Sequence, residues 1–106
     1  MPKYLIQVSY TLDGAKGVLA QGGTTRKAAA QAAAKSAGGK VESFNFAFGS
    51  TDAYVICDFP DNAAAAALAL NVSAGGGATV STTALLAPDE IDKAAATAVK
   101  YRPPGS

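Results

Sequence analysis

From residue 4 to residue 10 the chain reads Tyr-Leu-Ile-Gln-Val-Ser-Tyr. The even positions Tyr4, Ile6, Val8 and Tyr10 are apolar, and the odd ones pass from Leu5 to the polar Gln7 and Ser9. Period-two alternation in β-branched and aromatic residues predicts a strand with one buried face. The period returns at 41–48, through Phe44, Phe46 and Phe48, again at 53–59, and in the threonine- and valine-rich stretch 78–86. Between these strands the pattern becomes helical. Asp13 is expected to cap a short helix carrying Ala15, Val18 and Leu19, which Gly22-Gly23 interrupts. Thr24 or Thr25 is expected to cap a longer alanine-rich helix that stops at Gly38-Gly39. Pro60-Asp61-Asn62 opens a helix through Leu68 and Leu70, broken by Gly75-Gly76-Gly77. Pro88-Asp89-Glu90 opens the last one, with Ile91, Ala94, Ala95 and Ala98 as its apolar stripe. Tyr101-Arg102-Pro103-Pro104 cannot prolong it, which leaves 101–106 as a tail.

Gly49-Ser50-Thr51-Asp52 has turn composition, so the second and third strands read as a hairpin. The order β-α-β-β-α-β with a terminal helix predicts an α+β fold. It is the ferredoxin-like split βαβ arrangement, a four-stranded antiparallel sheet with the apolar first and third strands at its centre. Pairing Phe48 with Ala53 sets Phe46 opposite Val55 and Phe44 opposite Cys57. Together with Ile6, Val8, Val80 and Leu86 these residues form the expected helix-covered face. Three phenylalanines, each contributing roughly 1.5–3 kcal/mol when buried, would dominate that face. The opposite face then carries Gln7, Ser9, Ser43, Asn45, Tyr54, Ile56, Asp58, Ser81 and Thr83. A mixed face of this kind lies against a second sheet or lines a cavity, so a homo-oligomer of at least two chains is expected through it.

The 106 residues suit one domain, 1–106. Hydrophobic residues make up 49% and charged ones 16%, a globular balance. Much of the apolar content is alanine, which buries little area, so the helices are expected to pack closely on larger sheet side chains. A net charge of +1 provides no field for a phosphate backbone, and nucleic acid is not expected as a partner. The chain contains no histidine, which excludes Ser-His-Asp and Cys-His catalysis and histidine-ligated haem or zinc. Its scattered carboxylates form no calcium-type loop, so neither metal nor cofactor is expected. One cysteine, no basic-then-apolar leader and no apolar run of ~20 residues point to the reducing cytoplasm without a membrane partner.

The candidate chemistry is sparse. Tyr54 and Asp58 share one face of the third strand, with Gln7 and Ser9 beside them and Asn45 on the second strand. They form either a polar pocket, with Asp58 as base and Tyr54 as acid, or an interfacial hydrogen-bond set. Asp52 either orients a ligand or backbone donor, or serves as an ordinary turn aspartate. Thr24, Thr25 and Arg26 follow Gly22-Gly23 at a helix start, where free N–H groups hold an anion or a cap closes the helix. The spacing there matches no phosphate-loop fingerprint. Cys57, in an apolar strand and lacking an activating base, reads as an inert hydrophobe.

Several segments resemble the GYD-domain proteins of bacteria. They are Pro2-Lys3-Tyr4-Leu5-Ile6, Gly22-Gly23-Thr24 with Arg26, Phe48-Gly49 with Asp52 and Tyr54, Pro60-Asp61-Asn62-Ala63-Ala64, and Tyr101-Arg102-Pro103-Pro104-Gly105. The likeness spans nearly the whole chain, but the tyrosine of the name-giving motif is Thr51 here. The resemblance implies a dimeric α/β-barrel fold and a bacterial cytoplasmic protein, and it implies no particular activity. Two function classes follow. One is an oligomeric module that binds a small organic ligand in a cavity at the open sheet face. The other is a cofactor-independent enzyme of oxygenase or isomerase type, acting by proton transfer or O₂ chemistry through Asp58 and Tyr54.

Overall fold

The computed structural model of the protein describes residues 1–105; Ser106, the end of the expected tail, lies outside the described residues. Four strands form one antiparallel sheet: β1 (Lys3–Tyr10), β2 (Lys40–Phe46), β3 (Ala53–Asp58) and β4 (Ala78–Leu85), in the order β2-β3-β1-β4. The two most apolar strands are central, as their composition predicts. Two helices, α1 (Leu12–Gln21) and α2 (Gly23–Ser36), make the first crossover, and α3 (Asn62–Ala74) makes the second. α2 packs along β2 and α3 along β4, on the same side of the sheet. Tyr4, Ile6, Val55 and Cys57 point into that layer and are buried beneath Ala34 and Ala65. Phe59, just past β3, is fully buried, and its ring meets Tyr4 edge-on with centroids 5.7 Å apart. The Tyr4 hydroxyl donates to Asn62 Oδ1 at 2.6 Å, which satisfies the polar end of a buried ring.

The hairpin register differs from the expected one by two residues. Phe46 pairs with Ala53 and Phe44 with Val55. The two-residue slip preserves which face each side chain occupies, but it pushes Phe48 out of the strand, where it is fully exposed. The cause lies outside the hairpin. The Asp52 N–H donates to the Val8 carbonyl at 2.8 Å, and an Asp52 carboxylate oxygen accepts the Tyr10 N–H at 2.8 Å. Asp52 is thereby fixed beside β1, and residues 48–51 are left to make the turn. Phe46 is also substantially exposed, so the centre of the layer belongs to Phe59 and Tyr4 rather than to the three phenylalanines. Further along β2 a bulge falls between Val41 and Ser43, so that Val41, not Glu42, pairs with Cys57. Regular pairing would direct the Glu42 carboxylate under the helices; the extra residue replaces it there with a valine. Leu86 lies beyond β4 and is largely exposed, so it does not join the covered face.

The helix starts are also reassigned. Thr11, not Asp13, caps α1: its hydroxyl accepts the Gly14 N–H at 3.2 Å while donating to the Gly76 carbonyl at 2.8 Å. Asp13 sits in the first turn, where its charge favours the dipole. Gly22, not Thr24 or Thr25, joins α1 to α2; its φ of +83° suits glycine, and its N–H closes α1 on the Val18 carbonyl. Asp61 caps α3 through the Ala64 N–H at 2.9 Å. The last helix, α4 (Pro88–Ala96), is exposed along its whole length, including its stripe at Ile91, Ala94 and Ala95, while Ala98 falls outside it. α4 and the tail extend the molecule to 56 Å, with a radius of gyration of 16.9 Å against ~13 Å for a rounded chain of this length. Among the described residues no helix is long and apolar enough to cross a membrane.

Candidate functional site

The sheet face turned away from the helices carries its side chains in three rows. One row runs Asn45, Tyr54, Gln7, Ser81 across β2, β3, β1 and β4. The next runs Ser43, Ile56, Leu5, Thr83, and the third Lys40, Asp58, Lys3, Leu85. The expected residues thus share one face, but in different places. Gln7, Asn45 and Tyr54 are direct neighbours at the hairpin end. Ser9, paired with Thr79, lies just beyond them. Asp58 stands four residues from Tyr54 along β3, about 13 Å at strand rise, too far for both groups to reach one reacting atom.

Lys3 engages Asp58. Its Nζ donates to Asp58 Oδ1 at 2.9 Å and lies 3.2 Å from Glu42 Oε2. Asp58 itself is buried, so the ammonium compensates a carboxylate withdrawn from water. Sequence pattern singles out Asp58 but not Lys3, since the pairing that joins them is long-range. The Asp58 hydrogen bond first, and the Glu42 one second, hold the Lys3 pKa above the usual 10.5. Asp52 is occupied by the Tyr10 backbone, and Thr51, in place of the family tyrosine, donates to Gln7 Oε1 at 3.2 Å. Thr51 therefore ties the turn to the polar row.

Beneath the helices lies a cavity of about 120 Å³. α2 packs along β2 and α3 along β4, and small side chains of both, Ala29, Ala30 and Ala33 on one and Ala69 on the other, line this space. The expected close packing of the alanine helices on the larger sheet side chains is therefore incomplete here. None of Gln7, Ser9, Asn45, Asp52, Tyr54 or Asp58 lines this cavity. Of the candidate anion group only Arg26 does; Thr24 and Thr25 are exposed. Cys57 faces the same space, and burial, helped by the Asp58 charge, pushes its thiol up to about 11 from 9.0.

These two shifts give the fold an alkaline limit. Both groups have higher pKa values folded than unfolded, so both contributions are complete at neutral pH and decline as pH rises. Cys57 loses its share between 9.0 and about 11, where only the unfolded thiol ionises. Lys3 loses its share above 10.5, as the pH climbs through its raised folded value. The urea midpoint is expected to fall from pH 8 to pH 10.5, and a Cys57→Ala chain is expected to show a shallower fall. Parallel curves for the two chains would remove Cys57 from the account.

The family model for the GYD domain matches residues 4–95. Neither curated proteins nor solved structures give a significant match. Because the matched span takes in all but the first residue of the sheet and the helices that cross it, the chain belongs to the GYD domain family.

Proposed function

We propose that the protein is a self-associating module of the reducing cytoplasm, in which the open sheet face of one copy pairs with that of a second. The row Gln7, Asn45 and Tyr54, with Ser9 beside it, then faces the chamber between the two sheets and offers hydrogen bonds to a small organic ligand. The observation that carries this reading is the uncovered middle row. Leu5 and Ile56 sit at the centre of the sheet, between a polar row and an ion-paired one, on the face opposite α2 and α3. An apolar centre with a polar rim is the anatomy of a protein interface. The alternative reading as an acid–base enzyme is weakened by the Lys3–Asp58 ion pair, which occupies the candidate base, and by the separation of Asp58 from Tyr54. Light scattering at micromolar concentration is expected to give at least a dimer for the parent. An Ile56→Glu variant is expected to give a monomer of unchanged circular dichroism, because two facing carboxylates cannot share a dry centre. A monomeric parent, or a variant that still assembles, rules this face out.

A further inference from the structure

We propose that the cavity beneath α2 and α3 is a binding site for a small carboxylic acid whose apolar body is about one six-membered ring in size. In this site Arg26 receives the carboxylate. The inference is independent of whether the sheet faces pair.

The shape comes from the alanines. Ala30 and Ala33 of α2 and Ala69 of α3 approach the seam with only a methyl group each, above Val55 and Cys57 of the central strand. The resulting space of about 120 Å³ is close to the ~150 Å³ at which an apolar cavity takes up a benzene ring. The lining around this part offers no ionised group, so the body of the ligand must be apolar.

The charge comes from one end. Arg26, half-buried in the second turn of α2, lines this cavity and also a wider groove of about 440 Å³ between α1 and the glycine turn Gly75-Gly76-Gly77. Val72 and Ala78 likewise line both, so the two spaces meet at Arg26. Among the described residues Arg26 has no ion-pair partner, and Asp13, on the far wall of the groove, lies beyond ion-pair distance of it. A partly buried arginine that lines both an apolar chamber and the groove leading to it suits a ligand with an anionic head and an apolar body. Its planar fork matches a carboxylate with two parallel hydrogen bonds. A phosphate dianion would call for a second cation, and Lys27, the next residue, lines neither space. The Arg26, Ala30 and Ala33 spacing places head and body sites on one face of a single helix.

The test is a titration of the full chain with benzoate and, separately, with its neutral counterpart benzyl alcohol, followed by amide NMR shifts. Benzoate is expected to bind saturably and to move the amides around Ala30, Val55 and Ala69. Arg26→Gln is expected to weaken benzoate by about tenfold while leaving benzyl alcohol unchanged, since one charge-assisted contact is lost. Ala30→Leu, which fills the chamber, is expected to abolish binding of both without lowering the melting temperature. Three results would overturn the proposal. They are no saturation by benzoate up to roughly 10 mM, equal benzoate affinity of the Arg26→Gln and parent chains, and full binding by a folded Ala30→Leu chain.

Discussion

Replacing Phe59 with alanine is expected to destabilise the protein by about 3–5 kcal/mol, the cost of emptying a fully packed aromatic site. The ring is completely buried, at the point where the chain leaves β3 and the first residues of the protein return. Its backbone N–H is bonded to the Pro2 carbonyl at 3.1 Å, so the site is held from both sides and cannot collapse easily into the gap. The edge-on contact with Tyr4 would be lost too, leaving a tyrosine packed against a void while its hydroxyl stays anchored to Asn62. Domains of this size have a total stability of about 5–15 kcal/mol, so the substitution removes a large share. Urea unfolding with an unchanged slope reads the difference directly. A loss below about 1 kcal/mol would show that the layer is organised around other residues.

An alanine at Gly39 is expected to cost about 3 kcal/mol by the opposite mechanism, crowding rather than loss. A Cβ there would stand 2.2 Å from the Asp58 carbonyl oxygen and 2.6 Å from Phe59 Cδ1. The first obstacle is backbone of a central strand and cannot swing aside. Gly39 also cannot retreat, because its N–H closes α2 on the Ala34 carbonyl at 2.9 Å. Gly17 provides the control within the same chain. It lies inside α1 with nothing near its missing Cβ, so Gly17→Ala is expected to stabilise by about 0.5–1 kcal/mol through helix propensity alone. Thermal unfolding of the two variants should move in opposite directions. Because Gly39 and Phe59 touch, the double variant with Phe59→Ala is expected to cost less than the two single changes summed.

The parts of this molecule legible in the sequence are those set by local pattern. Period two in 4–10 and 53–59 reported both the central strands and which residues leave the helix side, and Gln7, Tyr54 and Asp58 lie on the face that the alternation assigns them. What was hidden depends on partners distant in the chain. Gly49 to Asp52 has the composition of a four-residue turn, yet Asp52 is bonded to β1, and that contact resets the register and expels Phe48. Thr11 and Asp13 are equally good caps by chemistry; the Gly76 carbonyl, 65 residues away, decides for Thr11. The Lys3–Asp58 pair, across 55 residues, turned a candidate base into half of an ion pair. The cavity was the least visible feature, since a row of alanines reads the same whether two helices close over a sheet or stand apart on it.

The bulge beside Glu42 also bears on whether a further strand could join this sheet. A four-stranded sheet has two free borders, and here they are unlike. Along β2 the hydrogen-bonding rhythm is broken and flanked by Lys40 and Glu42, which deters the addition of another strand. Along β4 the border is regular over Ala78–Leu85 and carries no charge. An unbroken border can match its twin in a second molecule, whereas end-on-end growth needs both borders receptive. Any strand addition at the β4 border would therefore meet a disfavoured β2 border on the far side, which opposes growth into a fibre.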